Sequence, residues 1–196
     1  MVQTSAGAGK EAKRAEILRR AAAVFRERGF HGAGMREIAA RLGLAPGALY
    51  YYFESKNDLL YSCQMLSLRG LVQSAGAVVA SSATPEEKVR QLVHHHLEQI
   101  LGEMGGSFAH IEFHALDRDR LAEVVARRDA YESLVRRIIQ EGVDAGAFRP
   151  LDSKIAALTL LGAMNWAAVW WNPQGHRSPA DVAEDMAATF VRGWKT

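Results

Sequence analysis

Two short apolar stripes separated by a glycine constrain this chain more than any other feature. In "MREIAARLGLAPGALYYYF", Met35 to Phe53, Ile38 and Leu42 stand one helical turn apart, with the small Ala39 between them. Gly43 follows, then Leu44. Pro46 comes next, a residue that suits the first turn of a helix, where its missing N–H costs nothing. Leu49 and Phe53, again four apart, make the second stripe. Apolar residues at this spacing are buried together only on a helix. Helices this short are marginal alone, so they must pack on something. A small residue at the crossing (Ala39), a glycine at the bend, a leucine plugging it and a leucine anchoring the second helix are what a helix-turn-helix requires. The alternative is an ordinary helical hairpin within a bundle.

The same period says where the tyrosines point. With Leu49 and Phe53 inward, Tyr50 and Tyr51 face outward and Tyr52 lies towards the flank. An exposed phenol donates to a phosphate oxygen, and its ring lies against sugar or a thymine methyl. Gly47 and Ala48 are small, so the helix start can come close to base edges, and its free amides favour an anion. Lys56, at the next helix start, suits a phosphate as a point charge. Arg36, at the start of the preceding helix, is the candidate base reader, because a guanidinium grips guanine in bidentate fashion. The charge distribution agrees. Residues 1–60 hold ten Lys/Arg against six Asp/Glu, whereas residues 61–196 hold fourteen against sixteen. A basic front on a mildly acidic body predicts that only the front meets a polyanion, here double-stranded DNA.

Helical periodicity dominates the remaining sequence. One segment runs from Lys10 to Arg28, with Ile17, Ala21, Val24 and Phe25 on one face and Gly29 as its stop. Ser55 with Asp58 predicts a helix start, continuing to about Ala80. Thr84, Pro85, Glu86 and Glu87 predict the next start. Further helices are expected at about 85–103, 107–116, 119–145, 152–171 and 178–194. No strand alternation and no internal repeat stand out. The expectation is an all-α protein of about nine helices, a helix-turn-helix domain ahead of a larger helical one. Boundaries are set at 1–10 for an unstructured leader, 11–56 for the first domain and 57–196 for the second.

Composition removes other classes. A content of 48% hydrophobic and 23% charged residues in 196 is that of a globular chain. A lone cysteine, Cys63, excludes an internal disulfide and a multi-cysteine metal site and fits a reducing, cytoplasmic setting. No apolar run approaches the roughly 18 residues of a membrane span. His94, His95 and His96 are consecutive, so on a helix they point three ways. His110 and His114 have a chelating spacing, but Glu112 is on another face and no "HExxH" pattern exists. With no phosphate loop, serine elbow or activated thiol, no catalytic site, resident metal or cofactor is expected, and the chain does not read as an enzyme.

"ILRRAAAVFRERGFHGAGMREIAARLGLAPGALYYYFESKNDLL" resembles the amino-terminal domain of the TetR family of bacterial transcriptional regulators, over roughly residues 14–60. The "GALYYYFESKNDLL" end is the most specific part. The resemblance implies an all-α homodimer whose first three helices read DNA, with the remaining helices forming a ligand pocket and a dimer interface. Gly34 and Ala45 depart from it. Family members often carry a hydroxyl residue at each place, so two contacts to phosphate are missing here.

Farther on, "LLGAMNWAAVWWNPQGHRSPADVAEDMAATFVRGW" looks like the end of the TetR subgroup that senses acyl-coenzyme A thioesters in fatty-acid or steroid breakdown. Read from the residues, Trp166 and Trp170 lie four apart, with Met164 and Trp171 extending the apolar surface. They make either a helix-packing seam or a pocket wall for an apolar ligand. Phe113 and His114 join Trp166, Trp170 and Met164 as candidate ligand contacts. Ile155, Leu158, Leu161, Val182, Met186, Phe190 and Val191 are candidates for a permanent two-fold interface, which should be apolar. In "DRDRLAEVVARRDAYESLVRRIIQEG", Leu121, Val124, Val125, Leu134 and Ile138 mark a buried stripe. Arg127, Arg128, Arg136 and Arg137 make a solvated face or meet the phosphates of a coenzyme A ligand. The expected function is a homodimeric repressor of lipid or steroid catabolism genes that binds a pseudo-palindromic operator and is released by an acyl-coenzyme A ligand. The rivals are a small-molecule binding protein and a metal-responsive sensor on the same scaffold.

Overall fold

The computed structural model of the chain describes residues 3–102 and 112–195. Its helices are α1 (Gln3–Gly32), α2 (Met35–Arg41), α3 (Pro46–Tyr52), α4 (Lys56–Ala80), α5 (Pro85–Leu101), a 3-10 turn (Glu112–Ala115), α6 (Arg118–Asp144), α7 (Ser153–Trp170) and α8 (Pro179–Trp194). The fold is all-α, and among the described residues the only extended pairing is an isolated bridge between Phe148 and Lys195. Most of the helix expected over 107–116 lies outside the described residues, and its end, Glu112–Ala115, is the 3-10 turn. Helix α1 begins at Gln3, where an unstructured leader over 1–10 was expected. Once Ala15 to Ala23 nucleate a helix, each residue added upstream gains one hydrogen bond without a new nucleus.

The chain divides into two compact units. One takes Met1–Ser67 with Met104–Val124, and the other Leu68–Glu103 with Val125–Thr196. Helices α4 and α6 each contribute residues to both. In the first unit, Ile17, Leu18, Ala21, Val24 and Phe25 of α1 are buried with Ile38, Ala39, Leu42, Leu49 and Phe53. Gly29 takes φ 73°, the left-handed region that an L side chain rarely adopts, and interrupts α1 there. Cys63 is buried in this unit, its thiol meeting the Leu18 carbonyl oxygen at 3.4 Å. Burial pushes the thiol pKa up to about 12, so it is inert at neutral pH.

The second unit has one core, built from Leu92, Val93, Leu97 and Ile100 of α5, Val135, Ile138 and Ile139 of α6, Ala157, Leu160, Met164 and Ala167 of α7, and Ala183, Ala187 and Val191 of α8. Thr84 and Ser178 cap α5 and α8 in full capping boxes with Glu87 and Asp181, and Asp152 caps α7. Val125, assigned above to the buried stripe of α6, is 39% exposed. The buried side of α6 runs through Val124, Tyr131, Val135, Ile138 and Ile139. Lys88, buried in the second unit, donates to the Val79 carbonyl and to Glu141, each at 3.0 Å.

Candidate functional site

Helices α2 and α3 meet at a bend made by Gly43, with φ 68°. The Leu44 amide donates back to the Ala39 carbonyl at 2.9 Å and closes the turn. Ile38, Ala39 and Leu49 are fully buried and Phe53 nearly so. This packing turns Tyr50 and Tyr51 outward and leaves Tyr52 at the flank. Tyr50 and Tyr51 are 51% and 68% exposed, while Tyr52 is half-buried, its ring edge-on to Tyr51 at 5.1 Å. Gly47 is exposed, and a Cβ added there would meet nothing within 4 Å. Ala48 is half-buried. Neither Gly34 before α2 nor Ala45 before α3 offers a side-chain cap, so the first amides of both helices have no hydroxyl or carboxylate partner.

The basic residues around this face divide by how they are held. Arg28 lies 3.7 Å from Glu37, and Arg41 pairs with Glu27, so both guanidiniums are engaged within the unit. Arg36 is exposed and carries no ion pair among the described residues. Lys56 has a structural engagement that its position in the sequence did not announce. It is half-buried, it donates to the Phe30 carbonyl at 2.9 Å, and its ammonium sits 4.3 Å above the Phe30 ring. Lys10 was missed altogether. Its ammonium lies 4.7 Å from the centre of the Tyr51 ring, a cation–π contact that adds positive charge beside the exposed phenol. Arg14 was missed too: it donates to Ser62 at 2.8 Å and covers the Phe53 ring at 4.9 Å, bracing α3 from behind.

The candidate ligand residues of the second unit do not assemble as expected. Met164 is fully buried in the core, whereas Trp166 and Trp170 are 63% and 52% exposed. Two residues apart on a helix means roughly opposite sides, so Met164 and Trp166 cannot line one pocket. Phe113 and His114 belong to the first unit. Trp166 and Trp170 instead continue an outward stripe with Ile155, Leu158 and Val169. Of the candidate interface residues, Ile155 and Leu158 are exposed, and Leu161, Met186 and Phe190 are half-buried. Val182 and Val191 are buried, on the side of α8 that packs against α5. A groove of about 360 Å³ beside the stripe is lined by Trp170, Val182, Met186 and Phe190, with Arg177 and Asp185 paired at its rim.

The histidine run points three ways. His94 meets Glu184 at 3.2 Å, His95 is exposed, and His96 is buried with its Nδ1 3.0 Å from the Tyr131 hydroxyl. His110 lies outside the described residues, which hold no group of three potential metal ligands. Arg136 and Arg137 are engaged one turn back and forward by Glu132 and Glu141, at 4.0 and 3.1 Å. Arg127 is exposed, and burial lowers the pKa of half-buried Arg128. No helix among the described residues is long and apolar enough to cross a membrane.

Comparison with known proteins adds two family matches. Residues 17–63 match the family described as "Bacterial regulatory proteins, tetR family", and residues 82–194 match "Tetracyclin repressor-like, C-terminal domain". The chain is 24% identical over 190 residues to the HTH-type transcriptional repressor KstR2 of Mycobacterium tuberculosis (strain ATCC 25618 / H37Rv), covering 92% of each. It superposes on the TetR family transcriptional regulator PfmR of Thermus thermophilus with a TM-score of 0.83 and 29% identity, covering 92% of this chain and 99% of that one. Its fold is also that of AibR in complex with isovaleryl coenzyme A and operator DNA, with a TM-score of 0.75 and 24% identity over 90% of this chain and 97% of that one.

Proposed function

The chain belongs to the TetR family of bacterial regulatory proteins, and from that premise we propose a homodimeric repressor of lipid or steroid catabolism genes that leaves its operator when an acyl-coenzyme A thioester binds. Residues 11–56 read the DNA, and residues 57–196 bind the effector and the partner copy. The observation that carries the reading is the outward face of α3. Helix α3 carries two exposed phenols and an open Gly47, its other side is locked by Leu49 and Phe53, and Arg36 is exposed at the start of α2 with no ion pair among the described residues. The phenols and the ammonium of Lys10 position the helix on phosphates, and Arg36 reads a base edge. Lys56 sets the entry of α4 through Phe30 and lends its charge to the same side.

Dimerisation is supported by α7. Ile155, Leu158, Trp166, Val169 and Trp170 are between 46% and 63% exposed, an apolar surface that a monomer rarely leaves in water. A two-fold pair places two α3 helices on successive major grooves, which calls for half-sites about 34–36 Å apart. The effector class is supported by the "NWAAVWW" resemblance and by two relatives: KstR2 by its description as a ketosteroid regulator, and AibR by the isovaleryl coenzyme A it holds. An effector acts only by binding better to the dimer that fits DNA worse, and operator DNA weakens effector binding by the same factor.

Fluorescence anisotropy on the DNA flanking the protein's own gene tests both halves. The protein is expected to bind one segment with a steep salt dependence, and acyl-coenzyme A, but not free coenzyme A, is expected to release it. Binding equal to that on random DNA would remove the regulator reading. Retention of the DNA at about 1 mM thioester, where binding contributes only about 4 kcal/mol, would remove the thioester.

A further inference from the structure

The second unit hides one polar arrangement that its fold does not require. Its core is apolar, and its buried lysine is accounted for by Glu141 and the Val79 carbonyl. His96 is different. It is 1% exposed, contributed by α5, and its ring stacks on Tyr131 of α6 at 5.7 Å and 28°. Its Nδ1 meets the Tyr131 hydroxyl at 3.0 Å, and its Nε2 has no partner among the described residues. Asn165, half-buried on α7, lies beside the ring without meeting Nε2 in hydrogen-bond geometry. Burial lowers the imidazole pKa to about 4, with Asn165 opposing slightly, so the ring is neutral at pH 7. Tyr131 is equally buried, which pushes its phenol well above the usual range.

The hydrogen-bond inventory fixes what this pair offers. A phenol is the better donor and a neutral imidazole nitrogen the better acceptor, so Tyr131 donates to Nδ1. The ring proton then sits on Nε2 and makes it a donor. A buried donor left unmet is costly, and a packed core selects against one unless it serves a purpose. A neutral N–H among apolar side chains complements an uncharged acceptor on an apolar molecule.

Resting on the effector reading above, we propose that His96, oriented by Tyr131 and flanked by Asn165, is the donor that recognises the carbonyl oxygen of an apolar effector. Two sources offer that oxygen, an acyl thioester and a ketosteroid. The site grips the carbonyl, and the apolar core around it grips the hydrocarbon. An alkyl chain without the oxygen therefore binds less well, because Nε2 stays unpaired when it enters.

The test compares matched probes by isothermal titration calorimetry on the full chain: octanoyl coenzyme A against S-octyl coenzyme A, and a 3-ketosteroid against its 3-deoxy counterpart. Within at least one pair, the carbonyl compound is expected to bind roughly 5- to 100-fold more tightly, the range that one unmet buried donor implies. His96→Leu should bring that ratio to about one by weakening only the carbonyl compound. His96→Gln, which keeps an N–H near the Nε2 position, should restore part of it. Ligand-free His96→Leu combined with Tyr131→Phe should melt no lower than the parent, since the double variant removes the unmet donor without stranding the Tyr131 hydroxyl. Probes that bind with no carbonyl preference, or a preference that survives His96→Leu, overturn the proposal while leaving the effector reading intact. Discrimination among the steroids alone upholds the proposal and removes the thioester. Binding by none of the four overturns both. A fall of several degrees that persists in the His96→Leu/Tyr131→Phe double variant assigns the pair to structure and also overturns the proposal.

Discussion

Helices α3 and α7 both leave large aromatic side chains in water, and they do so in opposite chemical company. On α3, Tyr50 and Tyr51 are exposed with Lys10 over one ring and no acidic residue on the helix itself, and the exposed Arg36 of α2 has no ion pair among the described residues. On α7, Trp166 and Trp170 continue an aliphatic stripe with Ile155, Leu158 and Val169. A phenol keeps a polar tip that stays solvated until it finds a phosphate. An indole on an aliphatic stripe has little to offer except area. Exposure alone therefore says nothing about function. The neighbours decide whether an aromatic waits for a polyanion or for another apolar surface.

The comparison breaks most severely if a charge enters the α7 stripe. Leu158→Glu would place a carboxylate in the centre of the proposed interface, where an unpaired buried charge costs several kcal/mol per copy. Analytical ultracentrifugation should find a monomer at concentrations where the parent is a dimer. Operator binding should fall with it, because two half-sites no longer act together. A dimer that persists would mean that the stripe faces something else.

On the other side, Leu49→Ala removes the buried anchor of α3 and should destabilise the first unit by about 2–5 kcal/mol, as a core truncation does. Chemical denaturation followed by circular dichroism measures it. Arg36→Ala should leave the melting temperature in place, weaken operator binding by about 1–3 kcal/mol and relax one base position per half-site. An unchanged site preference would assign base reading elsewhere. The smallest effect belongs to Tyr51→Phe. Losing one hydroxyl contact should weaken DNA binding by about 0.5–1.5 kcal/mol with stability unchanged. A comparable loss in thermal stability would instead show that the phenol supports the fold.

These regions also differ in how much of them the sequence discloses. The α2–α3 bend is legible because its demands are local: Ile38, Ala39, Leu42, Gly43 and Leu49 fall within twelve residues, and each meets a steric requirement of the motif. The dual engagement of Lys56 was not legible, since it depends on where the Phe30 carbonyl arrives after the break at Gly29. The grouping of Met164 with Trp166 was avoidable. The helical period already sends them to opposite sides. Tyr131 lies on the two-turn repeat of Val124 and Ile138, so its burial was readable, but its hydroxyl's partner was not. His96 is thirty-five residues away and becomes a neighbour only when α5 and α6 pack.

Helix ends usually fray, yet the last turn of α8 is clamped. The Arg149 amide donates to the Trp194 carbonyl at 2.8 Å, the Phe148 amide donates to Gly142, and the Trp194 ring stands edge-on to Phe148. Gly142 is needed there, since a Cβ would come within 2.2 Å of the Phe148 ring. Amide hydrogens in this turn should therefore exchange with solvent only when the whole second unit opens. Their protection, read by hydrogen–deuterium exchange, would serve as a gauge of that unit's global opening free energy rather than of local breathing.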